Sequence, residues 1–171
     1  MILDKLASIT TFIFDVDGVL TTGTVLAQDE GAMVRDFNIK DGYAINHALN
    51  NGYTIIIISG GDSQGVRQRL EKLGIEEVHT KIKDKKAHLN ELQKRLNLNL
   101  QNTLYVGDDM PDIPVMNMCG VKVAPNDAAW EVQQTADIVT KATGGRGSIR
   151  EIVQKVMQLQ DKWDGKDQFV W

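Results

Sequence analysis

The sequence predicts an α/β protein: a three-layer sandwich with a mostly parallel central sheet, helices on both faces, and a β-hairpin projecting from it. Three observations carry that prediction. Five short apolar runs, and a sixth weaker one, have the length of buried strands. Segments with helical periodicity fill most of the gaps between them. One early segment breaks the alternation with a polar turn. Strand–helix alternation of this kind implies βαβ units.

The first run is "TFIFD" at 11–15. It is followed by "YTIIIIS" at 53–59, "EEVHT" at 76–80, "TLYVGD" at 103–108, "GVKVA" at 120–124 and the weaker "ADIVT" at 136–140. Between the first two runs, residues 23–38 read as a hairpin, with "DEG" at 29–31 supplying the turn. The helix at 41–51 stops at Asn50, Asn51 and Gly52, a C-cap sequence. Asp62 or Ser63 caps the helix that ends at Gly74. Apolar residues at 87, 89, 92 and 96 share one helical face, and so do those at 149, 152, 153, 156 and 157. The tail at 164–171 is polar and then apolar, and is expected to be loose or docked on a neighbour.

Composition narrows the function. A chain of 171 residues suits one domain spanning 1–171, with a full core. Apolar residues at 42% and charged residues at 25% are those of a soluble globular protein. A net charge of −4 argues against a nucleic-acid partner but leaves an anionic small substrate open. The single cysteine, Cys119, excludes an internal disulfide and fits a reducing compartment. Its apolar setting predicts a buried small hydrophobe. No signal-peptide pattern and no run of about 20 apolar residues is present, so a cytoplasmic protein away from membranes is expected.

The chemistry gathers at strand ends, where open α/β sheets carry their functional groups. "FIFDVDGVLTTGT" drives a buried strand into Asp15 and Asp17. Like charges that close resist burial, and a bound cation would stabilise them. Ser59-Gly60-Gly61 ends the second strand and Gly107-Asp108-Asp109 the fourth, while Lys85 opens a helix. Oxygen ligands from Asp15 and Asp108 suit Mg²⁺. One carboxylate can attack phosphorus. A second, two residues on, can protonate a leaving group and then activate water. Ser59, nearby amides and Lys85 can hold phosphoryl oxygens. A phosphorylatable receiver domain shares an acidic cluster, a hydroxyl and a lysine. The Asp-x-Asp pair and the late "GDDMPD" fit a phosphatase and not a receiver.

"DVDGVLT" at 15–21, Ser59, Lys85 and "GDDMPD" at 107–112 resemble the four motifs of the haloacid dehalogenase-like phosphatases. The resemblance implies Asp15 as nucleophile and Asp17 as general acid/base. It implies Mg²⁺ held by Asp15, the backbone carbonyl of Asp17 and Asp108, with Asp109 or Asp112 in support. Ser59, Gly60 and Lys85 would hold the phosphoryl group. More finely, "DFNIKDGYAI" at 36–45 and "GGRGSIRE" at 144–151 resemble the KDO 8-phosphate (3-deoxy-D-manno-octulosonate 8-phosphate) phosphatases, whose relatives act on KDN or N-acylneuraminate 9-phosphate. The spacing from Gly18 to Ser59 is too short for an inserted α/β cap domain. The resemblance then implies a capless homotetramer in which a neighbour covers each site, and a place in lipopolysaccharide-type sugar synthesis. It assigns substrate contacts to Asn38, Ile39, Lys40, Asp41, Gly42, Arg69 and Arg146. Two positions depart from the pattern: Ser59-Gly60-Gly61 stands where Thr-Gly-Arg is usual, so Gly61 replaces an arginine, and Asn46 stands where arginine is frequent. Lys40, Arg69 or a neighbour's Arg146 are expected to compensate.

Overall fold

The computed structural model describes residues 1–164. In chain order it holds α1 (Ile2–Ala7), β1 (Thr11–Phe14), β2 (Leu26–Ala27), β3 (Met33–Val34), α2 (Ile39–Asn50), β4 (Thr54–Ile58) and α3 (Gln64–Lys72). Then come β5 (Glu77–His79), α4 (Lys85–Leu96), β6 (Thr103–Val106), α5 (Ile113–Met116), β7 (Val121–Ala124), α6 (Trp130–Thr135), β8 (Ile138–Val139) and α7 (Ser148–Leu159). The main sheet runs β5-β4-β1-β6-β7-β8, and every pairing in it is parallel.

A parallel strand in the middle of such a sheet is buried on both faces, so its sequence reads as unbroken hydrophobe. All of β1 is buried, and its side chains alternate between two cores. Phe12 and Phe14 join Ile55 and Ile57 of β4 in the core covered by α1, α2, α3 and α7. Ile13, Ile56 and Ile58 point the other way, into the core covered by α4, α5 and α6. These are the two helical layers the alternation predicts. Asn38, Ser63 and Asp84 cap α2, α3 and α4 by accepting from the amides of Lys40, Val66 and Ala87.

The hairpin stands apart from this sheet. Its strands have only two residues each, with Leu26 opposite Val34 and Ala27 opposite Met33. Gly31, at φ +85°, turns the chain between them. Val25, Leu26, Met33 and Val34 are all exposed. Only the hairpin, α2 and β4 lie between Gly18 and Ser59, so no cap domain is inserted there.

Some expected boundaries shift. Helix α2 starts at Ile39 rather than 41, because Asn38 is its cap. Helix α7 ends at Leu159, two residues past the last apolar position of its expected face. The short helices α1, α5 and α6 carry too few apolar repeats to read from sequence. Cys119 is buried as expected, and burial pushes its thiol up to about 12. His47 packs inside, with Nε2 3.0 Å from the Trp163 carbonyl. Among the described residues no helix is long and apolar enough to cross a membrane. The expectation for the tail falls on residues 165–171, outside those described.

Candidate active site

The carboxyl ends of β1, β4 and β6 meet at one rim. They deliver Asp15, Ser59 and Asp108 to a cleft of about 480 Å³ that Asp17, Gly60 and Lys85 also line. The floor of the cleft is an ion network. Lys85, at the first turn of α4, donates to Asp15 Oδ1 at 2.8 Å and to Asp112 Oδ1 at 2.7 Å. Asp112 also accepts from the Tyr105 hydroxyl at 2.7 Å and from the Asp108 amide at 3.1 Å. Asp15, Lys85 and Asp112 are all buried. Burial alone would drive the lysine toward neutrality, but the two carboxylates outweigh it and raise its pKa, so it stays charged.

The backbone brings these groups together through close approaches that only glycine allows. Gly18 has φ +83°, and a Cβ there would sit 1.9 Å from Asp108 Oδ2. A Cβ on Gly144 would sit 1.9 Å from the Gly18 carbonyl oxygen. The "GGRG" segment is thus packed against the loop that carries Asp15 and Asp17. Its glycines serve that contact, and Arg146 points outward to Asp36 at 3.3 Å.

The donor set suits a hard divalent cation. Carboxylate oxygens of Asp15, Asp108 and Asp112 lie within 4.8 Å of one another. Burial, and then the facing Asp15, Asp112 and Asp109, push Asp108 up to about 8. Burial, and then Asp112, push Asp15 up to about 6 against the pull of Lys85. A cluster with more negative charge than one ammonium balances is what an oxygen-liganded cation stabilises. Asp112 is already engaged by Lys85, Tyr105 and the Asp108 amide, which leaves Asp15 and Asp108 to face a cation. Asp109 is exposed and accepts from its neighbour's amide.

Asp17 is held from the other side. Arg35, immediately after β3, donates from Nε to Asp17 Oδ1 at 2.6 Å and from Nη2 to Oδ2 at 3.2 Å. The sequence reading missed Arg35. Its one signal was that it is the sole basic residue between 23 and 38.

The expected substrate segment is divided by the structure. Asn38 is spent on its cap, while Ile39 and Lys40 are exposed at the start of α2. Asp41 is turned inward: its carboxylate accepts from the amides of Gly147 at 3.2 Å and Arg150 at 2.7 Å, fixing the start of α7. With both oxygens engaged and 2% exposure, the Asp41 side chain faces the start of α7 and not the cleft, unlike the open substrate-side position expected for it. Gly42 lies against Arg69, where a Cβ would come within 2.8 Å of Nη2. Arg69 and Arg35 line a second cleft of about 650 Å³ between the hairpin and α3. Asn46 donates to the Leu73 carbonyl and sits in a different cleft, with Arg69 and Lys72.

Comparison with known proteins agrees with this architecture. A family model for haloacid dehalogenase-like hydrolases matches residues 77–152. The chain is 36% identical over 163 residues to the 3-deoxy-D-manno-octulosonate 8-phosphate phosphatase of Escherichia coli K12, covering 95% of this chain and 87% of that protein. The crystal structure of the same-named phosphatase from Yersinia pestis superposes with a TM-score of 0.93 at 33% identity, over 95% of this chain and 88% of that one. The Moraxella catarrhalis phosphatase, solved with magnesium, phosphate and KDO, matches with a TM-score of 0.92 at 30% identity, over 95% and 94%.

Proposed function

Since the chain belongs to the haloacid dehalogenase-like hydrolases, among the KDO 8-phosphate phosphatases, we propose that it hydrolyses the phosphate ester of a keto-deoxy sugar acid, KDO 8-phosphate foremost, to the free sugar acid and phosphate. The observation that carries this reading is the buried Asp15–Lys85–Asp112 network with Asp108 opposite, and a second, half-buried carboxylate two residues past Asp15.

Asp15 attacks phosphorus. The new bond to its carboxylate oxygen forms as the bond to the sugar oxygen breaks. Asp17 gives its proton to the departing sugar oxygen, then takes one from the water that attacks the aspartyl-phosphate and frees phosphate. Ser59 and the Gly60 backbone line the cleft for the phosphoryl oxygens, and Lys85 orients Asp15. Asp15 and Asp108, with the Asp17 carbonyl, would hold Mg²⁺, which would supply charge neutralisation for the phosphoryl group. Asp112 supports from behind through Lys85 and the Asp108 amide.

The sugar body extends toward the second cleft, where Arg69 offers a guanidinium for the acid. The chain acts as one phosphatase unit over 1–171, with the hairpin as its flap. Four copies close around their hairpins, which would bury Val25, Leu26, Met33 and Val34 and limit water at each site. The reaction runs in the cytoplasm.

The test is a steady-state comparison, with Mg²⁺, of phosphorylated eight- and nine-carbon keto acids against simple sugar phosphates. The expected result is kcat/KM for KDO 8-phosphate at least tenfold above the simple esters. Preference for the nine-carbon acids would move the assignment to KDN or N-acylneuraminate 9-phosphate, and indifference to the carboxylate would overturn it.

A further inference from the structure

Arg35 is anomalous for its surroundings. The hairpin is exposed on both strands, yet the Arg35 side chain is 11% exposed. It reaches back 18 positions along the chain to take both oxygens of Asp17, and its Nη1 donates to the Met33 carbonyl at 3.0 Å. The guanidinium is therefore fixed at both ends, to the hairpin backbone and to the carboxylate. Gly61 borders the pair. A Cβ at Gly61 would lie 3.3 Å from Asp17 Oδ2, 3.5 Å from Ser59 Oγ and 3.7 Å from Arg35 Nη2. A longer side chain there would compete for the notch that Arg35 and Asp17 share.

We propose that Arg35 is a positioning residue for Asp17, and that in this chain the hairpin supplies the guanidinium for which the strand end, with Gly61, leaves space. The inference rests on Asp17 being the acid/base. The two contacts are unequal. The shorter anchors Oδ1. Oδ2, at the longer contact and over the Gly61 notch beside Ser59, is the less tightly held oxygen and the one turned toward the cleft. A fork of N–H donors fixes the plane of a carboxylate, which a single ammonium does not. Arg35 thus sets the direction in which Oδ2 points without touching the phosphoryl group.

Leaving-group chemistry provides the test. An alkyl sugar phosphate needs its departing oxygen protonated, whereas p-nitrophenyl phosphate does not. Arg35→Ala, Arg35→Lys and Asp17→Asn are compared on both substrates in single-turnover formation of the phosphoenzyme. For Arg35→Ala the expected loss is about 30-fold in rate on the alkyl ester and under threefold on the aryl ester, with KM for the aryl ester unchanged. Arg35→Lys should recover only part of the alkyl rate. Adding Arg35→Ala to Asp17→Asn should cost nothing more on the alkyl ester, because the two act as one unit. Equal losses on the two esters, or additive losses in the double variant, would overturn the role of Arg35. If Asp17→Asn itself fails to discriminate between the esters, the acid/base assignment falls instead, and the two failures are told apart.

Discussion

The floor of the cleft and the hairpin above it are built on opposite plans. The floor is dense and finished. Asp15, Lys85 and Asp112 are buried, with both carboxylates bonded to the lysine, while Gly18 admits the Asp108 carboxylate and Gly144 lets its loop touch the Gly18 backbone. The hairpin is sparse and open, two residues per strand with its apolar side chains outward. The groups that hold Asp15 all come from this chain: Lys85 from the first turn of α4, itself held by Asp112 from the turn before α5. The hairpin cannot hold itself rigid on two pairs of residues. It borrows rigidity from the Arg35–Asp17 pair and, in the proposed tetramer, from its copies. The difference teaches that the two carboxylates, although two residues apart, answer to different parts of the molecule: Asp15 to the sheet, Asp17 to the flap.

The largest expected effect tests the floor. Asp15→Asn should lower turnover by about 10³-fold or more on every phosphate ester, since the amide cannot act as the attacking carboxylate. Lys85 keeps Asp112 as a partner, so the far-UV circular dichroism should match the parent. Turnover within tenfold of the parent on any ester would break the assignment of the floor as the reacting centre.

An intermediate effect tests the hairpin. The double variant V25E/M33E puts charge where the proposed assembly buries apolar surface. Light scattering should show species smaller than a tetramer, and kcat/KM on the sugar-acid phosphate should fall about tenfold. Activity on p-nitrophenyl phosphate should fall less, because that ester leans on Asp15 more than on Asp17. A fully active monomer would erase the proposed dependence of the flap on its neighbours.

The smallest effect returns to the floor and its charge. Burial raises Asp108 to about 8 and Asp15 to about 6, both above the ordinary value of 3.8 that an unfolded chain shows. A carboxyl with a raised folded pKa binds its proton more tightly folded than unfolded. The stability it lends is therefore lost as pH rises from about 4 through the folded value. The metal-free protein should melt a few degrees lower at pH 8 than at pH 5.5, at about 2–4 °C per kcal/mol for a chain of this size. Mg²⁺ should recover more at pH 8 than at pH 5.5, and Asp108→Asn should flatten the difference. Identical melts with and without Mg²⁺ at pH 8 would mean that the cluster does not hold the cation.

Much of this was legible in the sequence where signals are local. Strands β1, β4 and β6 announced themselves as apolar runs, and Asp15, Ser59 and Asp108 fell at their ends because a parallel sheet puts loops there. Helices α2, α3, α4 and α7 showed in spacing, with errors of a few residues where a cap decides the boundary. The hairpin followed from Gly31 and its acidic turn. What the sequence hid depended on distance. Asp41 meets Gly147 and Arg150 across more than a hundred residues, and no pattern near 41 distinguishes a cap for a remote helix from a substrate ligand. Arg35 finds Asp17 only once the hairpin folds back over Gly61.

The tie between Asp41 and α7 also bears on how variants of this protein are to be scored. The segment from Asn38 to Gly42 invites reading as a recognition element, and a screen that counts product per cell would agree, since losing Asp41 strips a cap worth about 0.5–2 kcal/mol from the last helix. That loss is expected to lower the abundance of folded protein more than the turnover of each folded molecule. Activity measured per folded enzyme and activity measured per culture would then rank Asp41 and Arg69 in opposite orders. Only the first ranking locates the substrate.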